Sequence, residues 1–290
     1  MEIKHYKRPC DFLEGLNARL RNIAKSENRP IRSIRRQVAF DRLWARLSHC
    51  RPNPWVLKGG HAMELHYRKA RATRDMDLTA APPRGSQPIA ATEELAATFR
   101  IHDLPTIDDH FRFHTIGRWQ PLQVPTIGIR QLVDVFIADQ QFDRFHVDLT
   151  TSDGPISPLL HLPGEDWLGF AGIAPAQIVT LSKEQQAAEK FHAYTAPRTT
   201  PNTRVKDLID LLLLTRDSQC DPYQLVEKMH SLFSSRGSHP LPDCLFPPPA
   251  EWALPFHEMA RECGFPLSLQ QAFEEIAAYY DHLPLEAVHA

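Results

Sequence analysis

Apolar residues recur at helical spacing in the first fifty positions of the chain and change to shorter patterns afterwards. The spacing predicts helices over 11–25 and 33–48, the second with Ser33 as its cap. A short apolar run at 55–57 is typical of a strand. The glycine pair that follows indicates a turn, and the residues from 61 to 69 indicate a helix.

The segment from Asp75 to Ala80 alternates between polar and apolar residues, which is the period of a strand with one buried face. Asp75 and Asp77 therefore share the polar face. Similar reasoning predicts an Ala-rich helix near 89–100. Three further strands are expected near 112–117, 129–137 and 144–150.

From about residue 183 onward the pattern becomes wholly helical. It predicts five helices, over 183–195, 203–216, 221–235, 250–263 and 268–282. A proline-dense stretch at 239–249 joins the third to the fourth as a stiff connector. The sequence thus predicts an α+β protein with an N-terminal helical arm (1–29), an α/β domain with a small mixed sheet (30–180) and an α-helical domain (181–290).

Composition narrows the class of protein without naming a function. The 290 residues are 42% apolar and 23% charged, which excludes wholesale disorder. No apolar run approaches the roughly 18 residues of a membrane span, and the N-terminus lacks a secretory pattern. Five cysteines without C-x-x-C spacing indicate free thiols in a reducing compartment. We therefore expect a cytoplasmic protein that does not bind membranes.

Charge is divided unevenly along the chain. Residues 1–75 hold 18 Lys/Arg against 7 Asp/Glu, whereas residues 76–290 hold 15 against 28. This asymmetry points either to a polyanionic partner of the N-terminal part or to two oppositely charged faces that attract each other.

Two short motifs together suggest chemistry. Asp75 and Asp77, at i and i+2 on one strand, can converge on one hard cation, and Mg²⁺ usually takes one or two carboxylates plus substrate phosphates. The turn Lys58-Gly59-Gly60 opens a helix whose N–H groups can approach phosphates. A glycine turn alone is usually structural, and an Asp-x-Asp strand is usually solvated. The two motifs in this order, a strand, a glycine turn and a helix followed by the Asp-x-Asp strand, are more specific than either motif alone. Together they indicate a nucleoside triphosphate bound through a metal ion.

Three segments of the sequence resemble a known family. WVLKGGHAMELHYRKARATRDMDL, followed in the same order by LSKEQQAAEKFHAYTA and TRVKDLIDLLLL, is similar to the AbiEii-type nucleotidyltransferase toxins, which include the mycobacterial MenT toxins. The layout covers roughly residues 15–282, and the specific motifs occupy about 50 residues. The resemblance implies a DNA polymerase β-like nucleotidyltransferase domain with an α-helical C-terminal domain.

The resemblance assigns roles to residues of the first motif. Asp75 and Asp77 match the metal-binding aspartates, and Gly59-Gly60 match the turn that cradles the nucleotide. Thr73 matches the Ser/Thr two positions before the first aspartate. Its hydroxyl is expected near the nucleotide phosphates, where phosphorylation would repel the substrate; the alternative is a hydroxyl that bonds only to backbone.

The later motifs and the neighbours of the turn complete the predicted nucleotide site. Lys190 matches the helix lysine that contacts phosphates, and Asp207 matches the later essential aspartate. Lys58 and Arg71 are expected to help neutralise the phosphates. His61 departs from the family, which usually has Ser or Thr directly after the glycine pair, and a protonated imidazole would have to replace the hydroxyl.

The pattern of the helices agrees with these assignments. Lys190 emerges from an otherwise apolar helix face, so it either pairs with an anion or extends to solvent. Asp207 lies on a burying face, while Lys206 and Asp210 are expected to form a plain surface pair. Asp148, on the polar face of an alternating strand, is either a third carboxylate that activates the attacking hydroxyl or a solvated acid.

The reaction that the resemblance implies is transfer of a nucleotide from an NTP to RNA, with the tRNA 3′ end as the expected acceptor, a block of translation as the result, Mg²⁺ as cofactor and a co-encoded antitoxin as partner. Basic residues of the first two helices would follow the RNA backbone, with Arg32, Arg35 and Arg36 as the chosen contacts and Arg42 and Arg46 in the same stripe. Transfer to a protein hydroxyl or a small molecule, or an inactive binding module, remain alternatives. We expect alanine at Asp75 or Lys190 to abolish transfer without unfolding the protein.

Overall fold

The computed structural model describes residues 3–50, 55–67, 69–80, 89, 91–122, 126–152, 156, 158–197 and 204–286. The chain divides into two compact units. The first, called here the sheet unit, comprises Met1–Leu65, Ala72–Ser152 and Leu159–Thr180. The second, called here the helical unit, comprises His66–Arg71, Asp153–Pro158 and Leu181–Ala290.

Helices and strands are mixed in the first part of the chain. Its helices are α1 (Pro9–Ser26), α2 (Ile31–His49), α3 (Gly59–His66) and α4 (Thr92–Ala97). Its strands are β1 (Trp55–Lys58), β2 (Asp75–Ala80), β3 (Arg112–Pro121), β4 (Gly128–Ile137), β5 (Gln140–Thr151), β6 (Leu159–Pro163) and β7 (Gln177–Leu181). The predicted helices and the strands β1 to β5 are confirmed. Ser33 does not cap α2, which begins two residues earlier, after Pro30.

The seven strands form one mixed sheet in the order β3-β4-β5-β2-β1-β7-β6. The β3, β4 and β5 strands form an antiparallel meander, while β2 lies parallel to β5 and antiparallel to β1. The predicted α+β class with a mixed sheet is confirmed. Neither β6 nor β7 was predicted, because each has only five residues and neither alternates clearly.

One face of the central strands is apolar and covered. Met76 and Leu78 on β2 are fully buried, as the alternation predicts. On β5, Phe145 meets Phe40 of α2 edge to face, with the ring centroids 4.8 Å apart. Because neighbouring side chains on a strand point to opposite faces, Asp75 and Asp77 of β2 and Asp148 of β5 lie on the other face of the sheet.

The first helix belongs to the core of the sheet unit. Phe12, Leu16 and Leu20 are fully buried, and the ring of Phe12 packs against Phe111 and Phe170. The segment predicted as an N-terminal arm therefore contributes α1 to the sheet unit rather than extending from it.

Two arginines of α2 are structural, which corrects their assignment to an RNA-binding stripe. Arg42 is 2% exposed and pairs with Asp41. Arg46 is 5% exposed and forms a two-pronged pair with Asp109 (2.7 and 2.9 Å), while also donating to the Phe111 carbonyl. A guanidinium buried in this way is not accessible to a nucleic-acid backbone.

The helical unit contains the helices that follow the sheet. They are α5 (Lys183–Thr195), α6 (Val205–Thr215), α7 (Pro222–Arg236), α8 (Ala253–Glu262) and α9 (Leu269–Asp281), close to the five predicted. Ser182, Asp221 and Ser268 cap α5, α7 and α9 by accepting backbone N–H groups, which fixes where these helices begin. None of the described helices is long and apolar enough to cross a membrane.

The buried pair predicts a difference between two arginines of the same helix. Arg46→Ala leaves the buried Asp109 with only the more distant guanidinium of Arg42, 3.9 Å away, so we expect the free energy of unfolding to fall by about 3–5 kcal/mol in urea titrations. Arg32→Ala, at an exposed position of α2, should stay within about 0.5 kcal/mol of the wild type. Equal losses of stability in the two variants would show that the Asp109 pair does not stabilise the fold.

Candidate active site

Three aspartates lie on the polar face of the sheet. Asp75 and Asp77 are two residues apart on β2, so their side chains share this face. Asp77 pairs in register with Asp148 of the parallel strand β5, and Asp75 pairs with His146. Asp148 is therefore the direct cross-strand neighbour of Asp77, in the position where the sequence suggested a third carboxylate.

The turn between β1 and α3 is shaped around Asp77. Gly59 has a positive φ of 66°, a conformation that favours glycine. A Cβ atom on Gly59 would overlap Oδ2 of Asp77 and lie 2.9 Å from its Cγ. Lys58 stands opposite Asp77 in the β1–β2 register. The carboxylate thus packs directly against the backbone from which α3 begins, because that residue has no side chain.

Asp148 is held by Arg130 of β4, its antiparallel neighbour. Nε and Nη2 of Arg130 donate to the two carboxylate oxygens of Asp148, each at 2.7 Å. Nη2 also lies 3.4 Å from Oδ2 of Asp75. The hydrogen bonds to Asp148, together with the charges of all three aspartates, raise the pKa of Arg130 above its ordinary value, so the guanidinium stays charged. The solvated alternative for Asp148 is wrong, since the residue is 7% exposed.

The donor set agrees with a divalent cation held by two carboxylates. Asp75 is about one-third exposed, and its Oδ1 lies 3.4 Å from Nδ1 of His146. Both oxygens of Asp148 are already occupied by Arg130. Within the described ranges, no group of three or more His, Cys, Asp or Glu side chains is arranged to hold a metal. Mg²⁺ is commonly bound by two carboxylates, with substrate phosphates as its remaining ligands, and Asp75 and Asp77 fit this arrangement.

The side chain of His61 packs against α2. Its side chain is 4% exposed, and its ring packs on Phe40 with centroids 4.7 Å apart. Nδ1 pairs with Oε2 of Glu64 at 3.1 Å. Its prediction as a phosphate contact is corrected on this ground: the imidazole is buried in the core of the sheet unit.

The backbone N–H and the hydroxyl of Thr73 both have partners in nearby residues of the chain. Its N–H donates to Oε1 of Glu64 at 3.2 Å, and its hydroxyl lies 3.4 Å from the backbone oxygen of Asp75. This is the local bonding that the sequence left open as the alternative to a phosphate contact. Regulation by phosphorylation of Thr73 stays a prediction.

The helical unit contains a second charged cluster, built around Lys190 of α5. Its Nζ lies 2.7 Å from Oδ1 of Asp207 and 2.7 Å from Oδ2 of Asp210, both on α6. Arg71 also reaches Asp210 through Nε (3.1 Å) and Nη2 (2.9 Å). The anionic partner predicted for Lys190 is thus confirmed, and Arg71 is committed to the same network.

Electrostatics keeps Lys190 and Asp210 of this buried cluster ionised. Burial alone would lower the pKa of Lys190, but the charges of Asp207 and Asp210 outweigh it and hold the pKa above its ordinary value. Burial would raise the pKa of Asp210, and the charges of Lys190 and Arg71 bring it below its ordinary range. Oδ2 of Asp207 is buried without a hydrogen bond, and Nη1 of Arg204 lies 3.5 Å away.

The interpretation of Asp210 as half of a surface pair with Lys206 is wrong. Asp210 is fully buried, whereas Lys206 is exposed. A signal for its role was present, because Asp207 and Asp210 are three residues apart in an otherwise apolar helix and so share one face. For Arg130, only its polar position within the strand predicted near 129–137 gave an indication.

The three arginines chosen as RNA contacts differ in the structure. Arg32 is exposed. Arg35 donates to Asn17 and lies over the Phe142 ring. Arg36 pairs with Asp143 and donates to the backbone oxygens of Arg74 and Arg144. Arg35 and Arg36 thus serve the sheet unit, and of the three only Arg32 presents its guanidinium to solvent.

A carboxylate pair beside a glycine turn that opens a helix, on a mixed sheet, is the arrangement of a nucleotidyltransferase. The family model for "Nucleotidyl transferase AbiEii toxin, Type IV TA system", a toxin–antitoxin family, matches residues 42–279. The chain belongs to this AbiEii family of nucleotidyltransferase toxins, as its motifs suggested.

The solved structure of a nucleotidyltransferase toxin agrees at the level of the fold. The chain resembles MenT4, a nucleotidyltransferase toxin from Mycobacterium tuberculosis H37Rv, with a TM-score of 0.58 and 16% identity over 93% of this chain and 92% of that one. It also matches JHP933 from Helicobacter pylori, with a TM-score of 0.47 and 15% identity over 86% and 91% of the two chains. No curated protein sequence matches this chain.

The close approach of Asp77 to Gly59 can be tested with two glycines of like conformation. Gly59→Ala meets both the positive φ and the carboxylate, whereas Gly117→Ala has a similar φ of 72° and open space around its Cβ. We expect Gly117→Ala to lower the free energy of unfolding by about 1–2 kcal/mol, the cost of the left-handed conformation. Gly59→Ala should lower it by roughly 1–3 kcal/mol more, from overpacking, in urea titrations. Equal decreases would mean that Asp77 moves away freely.

Proposed function

We propose that this protein transfers a nucleoside monophosphate from an NTP to an RNA acceptor, the 3′ end of tRNA, and thereby blocks translation. The observation that carries the proposal is the pairing of Asp75 and Asp77 on one strand face with the Gly59 turn packed against Asp77. Membership of the AbiEii family supports the nucleotidyl-transfer step. The tRNA acceptor rests on the resemblance to the MenT toxins and on exposed basic residues of α1 and α2.

In this proposal the acidic face binds the triphosphate through a metal. Mg²⁺ held by Asp75 and Asp77 would neutralise charge that develops on the phosphates as pyrophosphate leaves. The backbone N–H groups at the start of α3, at Gly59 and Gly60, would donate to the phosphates. Lys58, opposite Asp77, would add a positive charge at the same turn.

Lys190 is proposed as a further phosphate contact. Its ammonium group has three N–H donors, and the two aspartates of its cluster engage it at 2.7 Å each. The side chain is 12% exposed, and in this proposal the third N–H donor of the ammonium group contacts a phosphate. Asp207 and Asp210 would hold the charged group in place, and Arg71 would balance the second aspartate rather than bind phosphate directly.

The RNA backbone is proposed to contact the exposed cations of the first two helices. Arg21, Lys25 and Arg32 are exposed there, whereas Arg36 is engaged with Asp143. The partners of the active protein would accordingly be an NTP, a tRNA and an antitoxin, the last because the family is a toxin–antitoxin one. Transfer to a protein hydroxyl needs no such cationic surface, and this separates the second candidate from the first.

The two charged sets should respond differently to mutation. Asp75→Asn should abolish transfer of labelled NTP to total tRNA and leave the melting temperature near the wild type, because Asp75 is one-third exposed. Lys190→Ala should abolish transfer and also destabilise the protein by about 3–5 kcal/mol, because it leaves two buried carboxylates undercompensated. The sequence-based expectation that both variants keep their stability is thus revised for Lys190.

Asp134→Asn is a matched control for the loss of activity. Asp134 lies on β4 four residues beyond Arg130 and pairs with Arg144, away from Asp75 and Asp77 in the strand register. The variant should transfer nucleotide at the wild-type rate. Substantial transfer by Asp75→Asn would contradict the proposed metal site.

Salt dependence tests the RNA surface. Replacing Arg21, Lys25 and Arg32 together with Ala should lower the slope of log K for tRNA against log salt by up to about 0.7–0.9 for each phosphate that the variant no longer neutralises. The control is Arg112→Ala, an exposed arginine of β3, which should leave the slope unchanged. An unchanged slope in the triple variant, with transfer to a protein instead of tRNA, would favour the protein-hydroxyl alternative.

A further inference from the structure

The contacts of Arg130 distinguish it from the other arginines of the sheet. It takes both oxygens of Asp148, and the same Nη2 atom reaches Oδ2 of Asp75 at 3.4 Å. One positive group therefore bridges two carboxylates on neighbouring strands of the acidic face. Nucleotidyl transfer on two metal ions requires a second cation at a position of this kind, shared between carboxylates.

We propose that the guanidinium of Arg130 occupies the place of a second metal ion, so that the protein works with a single divalent cation held by Asp75 and Asp77. This inference rests on the proposed function and deepens it. Asp148 then binds no metal and takes no proton from the acceptor. It holds Arg130 in position, and Arg130 supplies a fixed positive charge beside Asp75.

A purely structural role, in which Arg130 only links β4 to β5, does not account for its contact with Asp75. Arg144 forms the equivalent pair on the same face, with Nη2 2.8 Å from Asp134, and among the described residues it pairs with that one aspartate alone. A brace between β4 and β5 needs only such a pair. The additional contact from Arg130 to Asp75 joins the brace to the proposed metal ligands.

Electrostatics favours one metal over two while Arg130 is in place. A divalent ion bound to Asp148 would lie within a few ångströms of a guanidinium whose hydrogen bonds already satisfy both oxygens of that carboxylate. Like charges at that distance repel strongly in a partly buried setting. Asp148 is 7% exposed, so it has little freedom to turn toward another partner.

The number of bound metal ions tests the inference. Mn²⁺ can stand in for Mg²⁺ at carboxylate sites, and its binding to the full-length protein with an equimolar non-hydrolysable NTP analogue can be counted by electron paramagnetic resonance. We expect one Mn²⁺ in total per wild-type complex, shared by Asp75, Asp77 and the phosphates of the analogue, and two in total in Arg130→Gln, in which Asp148 is released. Arg130→Lys keeps the positive charge and should retain one. Arg144→Gln, the matched control on the same face, should also retain one.

Each outcome decides between the possibilities. Two Mn²⁺ ions in the wild type would overturn the inference while leaving the proposed function intact, and this result needs no variant to fold. One ion in both the wild type and a folded Arg130→Gln would show that Arg130 does not exclude a metal, which also overturns it. A wild-type complex that binds Mn²⁺ no more tightly than the Asp77→Asn complex does would contradict the proposed metal site itself, and the inference with it.

Discussion

The approach of the Asp77 carboxylate to the backbone of Gly59 is the interaction on which the rest of the candidate site depends. It requires a residue without a side chain at a left-handed φ, at the point where β1 ends and α3 begins. The antiparallel register that sets Lys58 opposite Asp77 brings the two segments together. The glycine pair and the Asp-x-Asp strand are therefore one structural unit, although Asp75 lies well beyond Gly60 in the sequence. A larger residue at position 59 would displace a proposed metal ligand as well as strain a turn.

Internal pairing determines which charges of this protein can meet a partner. The N-terminal excess of Lys and Arg suggested a polyanion-binding surface, yet several of its arginines pair with aspartates inside the sheet unit: Arg36 with Asp143, Arg42 with Asp41 and Arg46 with Asp109. Such pairs join residues up to 107 positions apart. The net charge of the segment therefore overstated the cationic surface. Fewer Lys and Arg residues are exposed on α1 and α2 than the segment contains.

Much of the secondary structure and part of the site could be predicted from local pattern. Alternation located β2 and its two acids, and the apolar stripe around Lys190 indicated that this lysine needs an anion. What local pattern could not supply was pairing across strands and helices. Asp210 looked like half of a surface pair because an i, i+4 lysine was available, and the structure instead turns it toward Lys190. The contacts of Arg130 with Asp148 and Asp75 depend on the β4–β5 and β5–β2 registers, which cannot be derived from the sequence of any single strand.

His61 shows how the fold absorbs a departure from the family's pattern. Where the resemblance to the family predicted a hydroxyl, this chain carries an imidazole that packs on Phe40 and pairs with Glu64. The other oxygen of Glu64 accepts the N–H of Thr73, just before β2, so one buried carboxylate ties α3 to the entry of the acidic strand. With histidine at position 61, the turn lacks a side-chain hydroxyl, and the imidazole instead joins α3 to Phe40 of α2 on the core side of the turn. Under the proposed function, phosphate binding at this turn then falls to backbone N–H groups and to Lys58, and the position of β2 is fixed from the core side by Glu64.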